Sequence, residues 1–470
     1  MKCIRAGSVS NAPVIRALLA ISEDCTVCFV ATTATFFLLF VSHAHAQAVP
    51  LNFDTVAPPW NALQVFEASP LPDFRDPNST DPIPPEDMPV KKRQQPGYEP
   101  VGIRYGSWMI NPALTSGGFF DSNVFSSNTT KNSDFAAVVE PTLRAHTLWE
   151  RHGIDLKLDA QSMIYGQFSS LDQNNISLKG SGWYDVARDL KVLGSFQVAH
   201  LNEGVGTLSS PVNAVAPTPY NLYSGDVAVR KEFNRLAASV GMGVKSYDYQ
   251  STRAQDGSTI NQDGRDGQIY TVHGRLDYAF SPFLGWFAAL EGNERQIRGT
   301  PGHTLDSEGY RALSGITLGR ANLLSGEIGG GYVSQRFDDP TIGTISGPSY
   351  HASLLWRPTR LLDIHAKAEQ LVTETSDTSS SGVLANAFQV GADYELLRNV
   401  VISLTGGYEN DKFFGQTRKD TVTSTDARIK YMLNRFASVS VYHRYTDRKS
   451  DIPAFSYEKH LVGINVTAQF

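Results

Sequence analysis

The last nine residues limit what this chain can fold into more than any other stretch does. From Val462 to Phe470 the side chains alternate without a break. Val462, Ile464, Val466, Ala468 and Phe470 share one face, and Gly463, Asn465, Thr467 and Gln469 share the other. A period of two is a β-strand with one apolar side and one polar side. The same texture recurs far upstream. Leu362, Ile364, Ala366 and Ala368 oppose Asp363, His365, Lys367 and Glu369, while Ala427, Ile429, Tyr431 and Leu433 oppose Asp426, Arg428 and Lys430. Val272, Leu276 and Tyr278 oppose His273, Arg275 and Asp277, and Ile154, Leu156 and Leu158 oppose Asp155, Lys157 and Asp159.

Between every second pair of such segments sits a tight turn. The turns fall at Trp149, Asp185, Lys231, Phe280, Gly319, Arg357, Glu395 and Met432, at a crude repeat of roughly 35 to 50 residues. The other connections, such as Gln250 to Gly267, are longer and more polar. Short turns at one end and long loops at the other is the asymmetry of a transmembrane β-barrel. A soluble β-sandwich alternates as well, but its bulky rings spread along the strands. Here Trp108, Trp149, Trp183, Trp286 and Trp356 stand at strand ends beside the short turns, joined by Tyr278, Phe280, Phe283, Tyr394, Tyr431, Phe436 and Phe470. That gathering is an interfacial girdle. Counting hairpins from about Ser107 to Phe470 gives about 18 strands, or 16 if one long loop is misread. Lipid leaves no backbone group unpaired, so the sheet must close, and the terminal strand is expected to pair with the strand around Trp108–Thr115. The fold class is therefore all-β: a closed antiparallel transmembrane β-barrel occupying 101–470.

Residues 1–46 read as an export signal, with Lys2, Arg5 and Arg16 ahead of the apolar run Val27–Val41 and Ala44-His45-Ala46 as a cleavage site. The true start is expected downstream of Met1, because the basic region is long and holds Glu23 and Asp24. Cys3, Cys25 and Cys28 all fall in this segment, so a mature chain carries no disulfide scaffold or cysteine-based zinc site. Residues 47–100 hold twelve of the 24 prolines, which cannot sustain a helix or an interior strand. They are expected to be an extended, disordered periplasmic segment, with Lys91-Lys92-Arg93 as a solvated flank. A net charge of −6 without a basic face argues against a nucleic-acid partner.

Two sets of residues carry a resemblance. Gly463, Val466, Ala468 and Phe470 resemble the C-terminal assembly signal of bacterial outer-membrane barrels, although Leu461 stands where a polar residue is usual. G-I-R-Y-G-S-W at 102–108, G-G-F-F-D-S-N-V-F at 117–125, A-P-T-P-Y-N-L-Y at 216–223, D-S-E-G-Y-R-A at 306–312 and Y-E-L-L-R-N-V at 394–400 follow in order. Together they make the stretch Pro96–Phe470 similar to the putative β-barrel porin 2 family. The resemblance implies residence in the bacterial outer membrane among its lipid and lipopolysaccharide, and delivery to the barrel-assembly machinery through the last strand. It also implies a porin-like role, with secreted exopolysaccharide as one candidate cargo, and it supplies no catalytic residue.

No H-E-x-x-H, G-x-S-x-G or P-loop pattern occurs. Gly326-x-x-Gly329-Gly330-Gly331 lacks a following helix, so it reads as strand packing rather than nucleotide binding. His303, His351, His443 and His460 have no evident partner, and no enzyme activity or cofactor is expected. Asp256, Asp263, Asp266, Asp338 and Asp339 match no calcium loop and read as solvated acids. What remains is a polar lumen. Its expected lining is Asp155, Lys157, Asp159, His273, Arg275, Asp277, Asp363, His365, Lys367, Glu369, Asp426, Arg428 and Lys430. The loop Asn202–Pro219 is the candidate for folding inward as a constriction. Two functions fit: a channel for polar solutes, or a structural or adhesion barrel with a closed lumen whose surface loops do the work. A chain of this length leaves no room for a folded plug domain.

Overall fold

The computed structural model describes residues 88–93, 95–211, 213–281, 283–299, 304–321, 323–373 and 382–470. The expected export signal and most of the Pro-rich segment lie outside the described residues. Eighteen long strands follow one another: β1 Trp108–Asp121, β2 Asp134–Thr147, β3 His152–Tyr165, β4 Gln173–Ala187, β5 Leu190–Glu203 and β6 Thr218–Phe233. Then come β7 Leu236–Tyr249, β8 Gly267–Ser281, β9 Leu284–Ile297, β10 Ser307–Ala321, β11 Leu324–Phe337 and β12 Thr344–Thr359. The last six are β13 Leu362–Thr373, β14 Gly382–Leu397, β15 Val400–Phe414, β16 Lys419–Asn434, β17 Ala437–Ser450 and β18 Tyr457–Gln469. Each pairs antiparallel with its neighbours in sequence, and β18 returns to pair with β1. The sheet closes, so no lipid-facing edge is left with unpaired backbone.

Closure follows the expected pairing. The terminal strand meets Ala113–Asp121, from Ala113↔Gln469 to Asp121↔Leu461, overlapping the expected stretch at Ala113–Thr115 and running on toward the long-loop end. The start of β1 is instead covered by a short strand, Ile103–Tyr105, which pairs Ile103↔Ile110 and Tyr105↔Trp108. The chain just ahead of the barrel thus extends the seam where β18 runs out. On the inner face, Thr115 and Thr467 share a hydroxyl–hydroxyl bond of 2.9 Å across the seam.

Alternation decides which side faces out. Val462, Ile464 and Val466 are exposed while Leu461, Gly463 and Asn465 between them are buried. A closed sheet whose exposed side is Val, Ile, Leu, Met, Phe and Tyr has that side in lipid. Tyr278, Phe280, Phe283, Trp356, Tyr394, Tyr431, Phe436 and Phe470 all lie on it as exposed rings, and Phe436 stacks on Phe470 at 5.9 Å. Trp183 departs from the girdle: it pairs with Gly153 and its ring covers that glycine, on the face that also carries Asp155 and Lys157. Its place at a strand end was legible, but which way it faces depends on parity.

The strands are longer than the expected ten or so residues. A 14-residue strand such as β1 climbs about 36 Å at about 3.4 Å per residue and a tilt of about 40°, beyond an apolar band of about 25 Å. The excess lies at the long-loop end, where outward positions turn polar: Gln268, Glu294, Glu308, Arg336 and Glu458. The short turns are two or four residues long, and Asn234 takes a positive φ of 57° in one of them, as a tight hairpin requires. Inside, one sector of wall is apolar: Phe119, Ala136, Val138, Met163, Tyr442 and Leu461 form a single buried cluster across β1–β3 and β17–β18. Gly463 permits it, because a Cβ there would sit 2.5 Å from the Tyr442 ring.

Candidate functional site: the barrel lumen

All thirteen expected lining residues occupy inward positions of their strands. Asp155, Lys157 and Asp159 lie on β3, His273, Arg275 and Asp277 on β8, Asp363, His365, Lys367 and Glu369 on β13, and Asp426, Arg428 and Lys430 on β16. Strand parity carries each group to one face, and neighbouring strands supply the partners. Arg144 on β2 grips Asp155 with two nitrogens, Lys157 reaches Asp159 at 2.9 Å, and Arg444 holds Asp426 at 2.8 Å. His273 faces Asp226 at 3.7 Å and His365 faces Asp393 at 3.6 Å. Lys367 is exposed to the lumen.

The structure also links such same-strand neighbours to groups on strands distant in sequence. Arg230 contacts Glu232 at 3.2 Å and Asp277 at 3.5 Å, and Arg275 contacts Asp277 and Glu327, each at 2.8 Å. His351 meets Glu327 at 3.1 Å, and Glu369 takes Arg311 at 3.0 Å. The result is a chain of alternating charge across the β6–β13 wall. Arg275 (β8) and Glu327 (β11) are three strands apart, so these side chains bridge the concave inner surface. Phe287, 1% exposed, lies beneath Arg275 with the guanidinium 4.3 Å from its ring centre. Gly329 makes the room, since a Cβ there would meet Phe287 Cζ at 2.6 Å. The glycine-rich stretch therefore serves packing. Buried charges in such a chain are individually expensive and mutually compensated, and they give the lumen a rigid ionic wall opposite the apolar one.

Both mouths are narrowed. At the short-turn end, Val90–Lys92 forms a single 3₁₀ turn inside the barrel. Val90 is 1% exposed and packs on Val401 and Met432, with Tyr98 against the same cluster. Its N–H donates to Asp363, Lys91 pairs with Asp393 at 2.7 Å, and Arg93 pairs with Glu395 at 2.9 Å. The basic cluster is thus no solvated flank: two of its cations meet the acids of β14. At the long-loop end, residues 204–211 reach across the mouth to β17 and β18. Arg448 donates to the carbonyls of Gly206 and Thr207 at 3.2 and 3.0 Å, and the Tyr457 hydroxyl donates to Gly206 at 2.9 Å. The far half of the loop is tied to the β7–β8 loop by Val215 N–H to Arg253 O and Gln255 N–H to Asn213 O, each 3.0 Å. Arg448 is itself buried against Asp420, which also holds Arg418 at 2.6 Å.

The loop acids close turns. Asp256 accepts the Ser258 hydroxyl at 2.6 Å and its N–H at 2.9 Å, which hold the carboxyl below its usual range. Asp266 accepts the Tyr249 N–H at 2.7 Å and is pushed up by burial. Asp339, 7% exposed, bonds both N–H and hydroxyl of Thr341, so it is not the solvated acid expected of it.

A family model described as "Putative beta-barrel porin 2" matches residues 95–470. The chain belongs to that family. No curated protein matches it. Among solved structures it is similar to OccK2 (OpdF) of Pseudomonas aeruginosa, at 10% identity and a TM-score of 0.44, covering 77% of this chain and 98% of that one. A BenF-like porin from Pseudomonas fluorescens Pf-5 follows at 11% identity and 0.41, covering 77% and 99%. The ferric enterobactin receptor PfeA of Pseudomonas aeruginosa, as an R480A/Q482A mutant, stands at 7% and 0.42, covering 77% and 80%. Membership makes the chain a porin-like barrel of the bacterial outer membrane. The short turns, the chain ahead of β1 and the end of β18 then face the periplasm, and the loop 204–217 faces outward.

Proposed function

We propose that this porin 2 family barrel is a passive channel for small polar or charged solutes and has no catalytic activity of its own. The observation that carries the reading is the inner face, lined by charges of both signs between residues 204–211 at one mouth and the Val90–Arg93 turn at the other. Fixed charges at a constriction select by sign and size. Two narrowed mouths suit small solutes better than a polymer, and no contact here favours a polysaccharide outlet. Lipid and lipopolysaccharide are the expected surroundings of the outward face. The β18 strand ending in Phe470 is the expected handle for the assembly machinery. Conductance of purified, heat-modifiable protein in planar bilayers tests the reading. Stepwise ion current is expected, and correctly folded barrels that pass none would leave the closed, structural barrel in its place.

A further inference from the structure

The apolar inner wall is out of character for a channel lumen, whose interior is ordinarily polar. A cavity of about 110 Å³ lies against it, beneath the loop tip at Gly204–Thr207. Phe119, Val138, Met163 and Leu461 give it an apolar floor. By comparison, a closed apolar cavity of about 150 Å³ takes up a benzene ring, and this one opens to the lumen.

The polar rim is what gives the cavity a sign. Lys459 is taken by Asp121 at 2.7 Å, and Arg444 by Asp426 at 2.8 Å. Arg428 also lines the cavity, 5.4 Å from the centre of the Tyr442 ring, and no described carboxylate bonds it. Glu140 is an acid within Coulombic reach of Arg428, as Asp426 is on the same strand face, and Gln161 bonds Glu140. Buried acceptors on Gln173 and Asn465 lack partners among the described residues. The rim therefore has one guanidinium that no described carboxylate bonds, above an apolar floor.

We infer that this cavity is a binding station for a small organic monocarboxylate with an apolar body, its carboxylate on Arg428 and its hydrocarbon against Phe119 and Met163. The site itself is a property of the folded barrel. Its role as a stop along a solute path rests on the channel reading above. A carboxylate–guanidinium contact is charge-assisted and directional, and the apolar body gains from leaving water. Neither a bare small anion nor an uncharged ring collects both.

Isothermal titration of the detergent-solubilised, heat-modifiable barrel with benzoate, acetate and benzyl alcohol is the test. Benzoate is expected to bind about tenfold tighter than benzyl alcohol, the factor that one charge-assisted bond supplies, and about tenfold tighter than acetate, which has no ring to bury. Arg428→Gln should erase the advantage over benzyl alcohol, and Glu140→Gln should increase it by relieving repulsion. Equal binding of the three probes, or of benzoate and benzyl alcohol alone, would overturn the inference. So would a Glu140→Gln barrel that binds benzoate more weakly, even if Arg428→Gln fails to fold. Ion current with no discrimination among probes sinks only the station, and benzoate binding without current sinks only the channel.

Discussion

The turn at Val90–Arg93 gives the sharpest prediction, because its hold on the barrel is nearly balanced. Ordering the six residues Met88–Arg93 costs about 6–12 kcal/mol of backbone entropy. Against this, burial of Val90, 1% exposed, contributes about 1.5–3 kcal/mol. Its N–H on the Asp363 carboxylate adds about 1.5–3 kcal/mol. The Arg93–Glu395 pair, with side chains 10% and 8% exposed, adds about 3–5 kcal/mol when judged by removing one partner. Lys91, 38% exposed, is discounted to about 1 kcal/mol for its contact with Asp393. The favourable sum, about 7–12 kcal/mol, barely exceeds the entropy. Replacing Lys91 and Arg93 by Gln removes about 4–6 kcal/mol, close to the 5.5 kcal/mol that turns a 99:1 population into 1:99. Single-channel recordings at about 0.15 M salt should show the double variant in a larger conductance state that the wild type visits only briefly. At about 1 M, where the screening length is about 3 Å, the wild type should move toward the variant. Identical conductance histograms for the two proteins at both salts would refute the claim that this segment narrows the path.

Three further outcomes are expected. Arg448→Gln removes charge-assisted bonds of about 1.5–3 kcal/mol to the loop, so the current should flicker more between sublevels; unchanged noise would show the loop is held by other contacts. Deleting Phe470 removes the ring stacked on Phe436 and the N–H that bonds Pro112 O at 3.1 Å. The amount of heat-modifiable barrel in the outer-membrane fraction should fall, and normal assembly would remove the role given to the terminal residue. Met242→Arg places a charge on the exposed outer face of β7 and should cost about 2–4 kcal/mol in refolding from urea into vesicles. A cost near zero would mean that this side does not meet lipid.

How much of this was legible in the sequence divides along one line. Whatever a strand encodes by itself could be read: the alternation of Asp363, His365, Lys367 and Glu369 against Leu362, Ile364, Ala366 and Ala368, the tight turns, and the family resemblance from Pro96 onward. Of what depends on where strands meet, the pairing of the last strand with the first could be read, and the finer contacts could not. The seam register of Ala113–Asp121 against Leu461–Gln469 follows from closure, which no local pattern specifies. Trp183 was misread because a ring at a strand end signals the interface only if its parity points outward, and its pairing with Gly153 points it inward.

The ion pairs make the same point at the level of function. The spacing of Arg275 and Asp277 places both on one face of β8 and predicts their contact, found at 2.8 Å. Nothing in that spacing carries Arg275 on to Glu327, because β11 comes within its reach only when the wall curves back toward itself. Lys91 and Arg93 read as solvated for an equivalent reason: a basic run in a Pro-rich segment has no partner until the barrel gathers Asp393 and Glu395 at its mouth. Alternation in the strands therefore tells which surface meets lipid. The ionic contacts of the inner wall are ones that the closed curve creates between strands distant in sequence, so they are the ones a linear reading pairs least well.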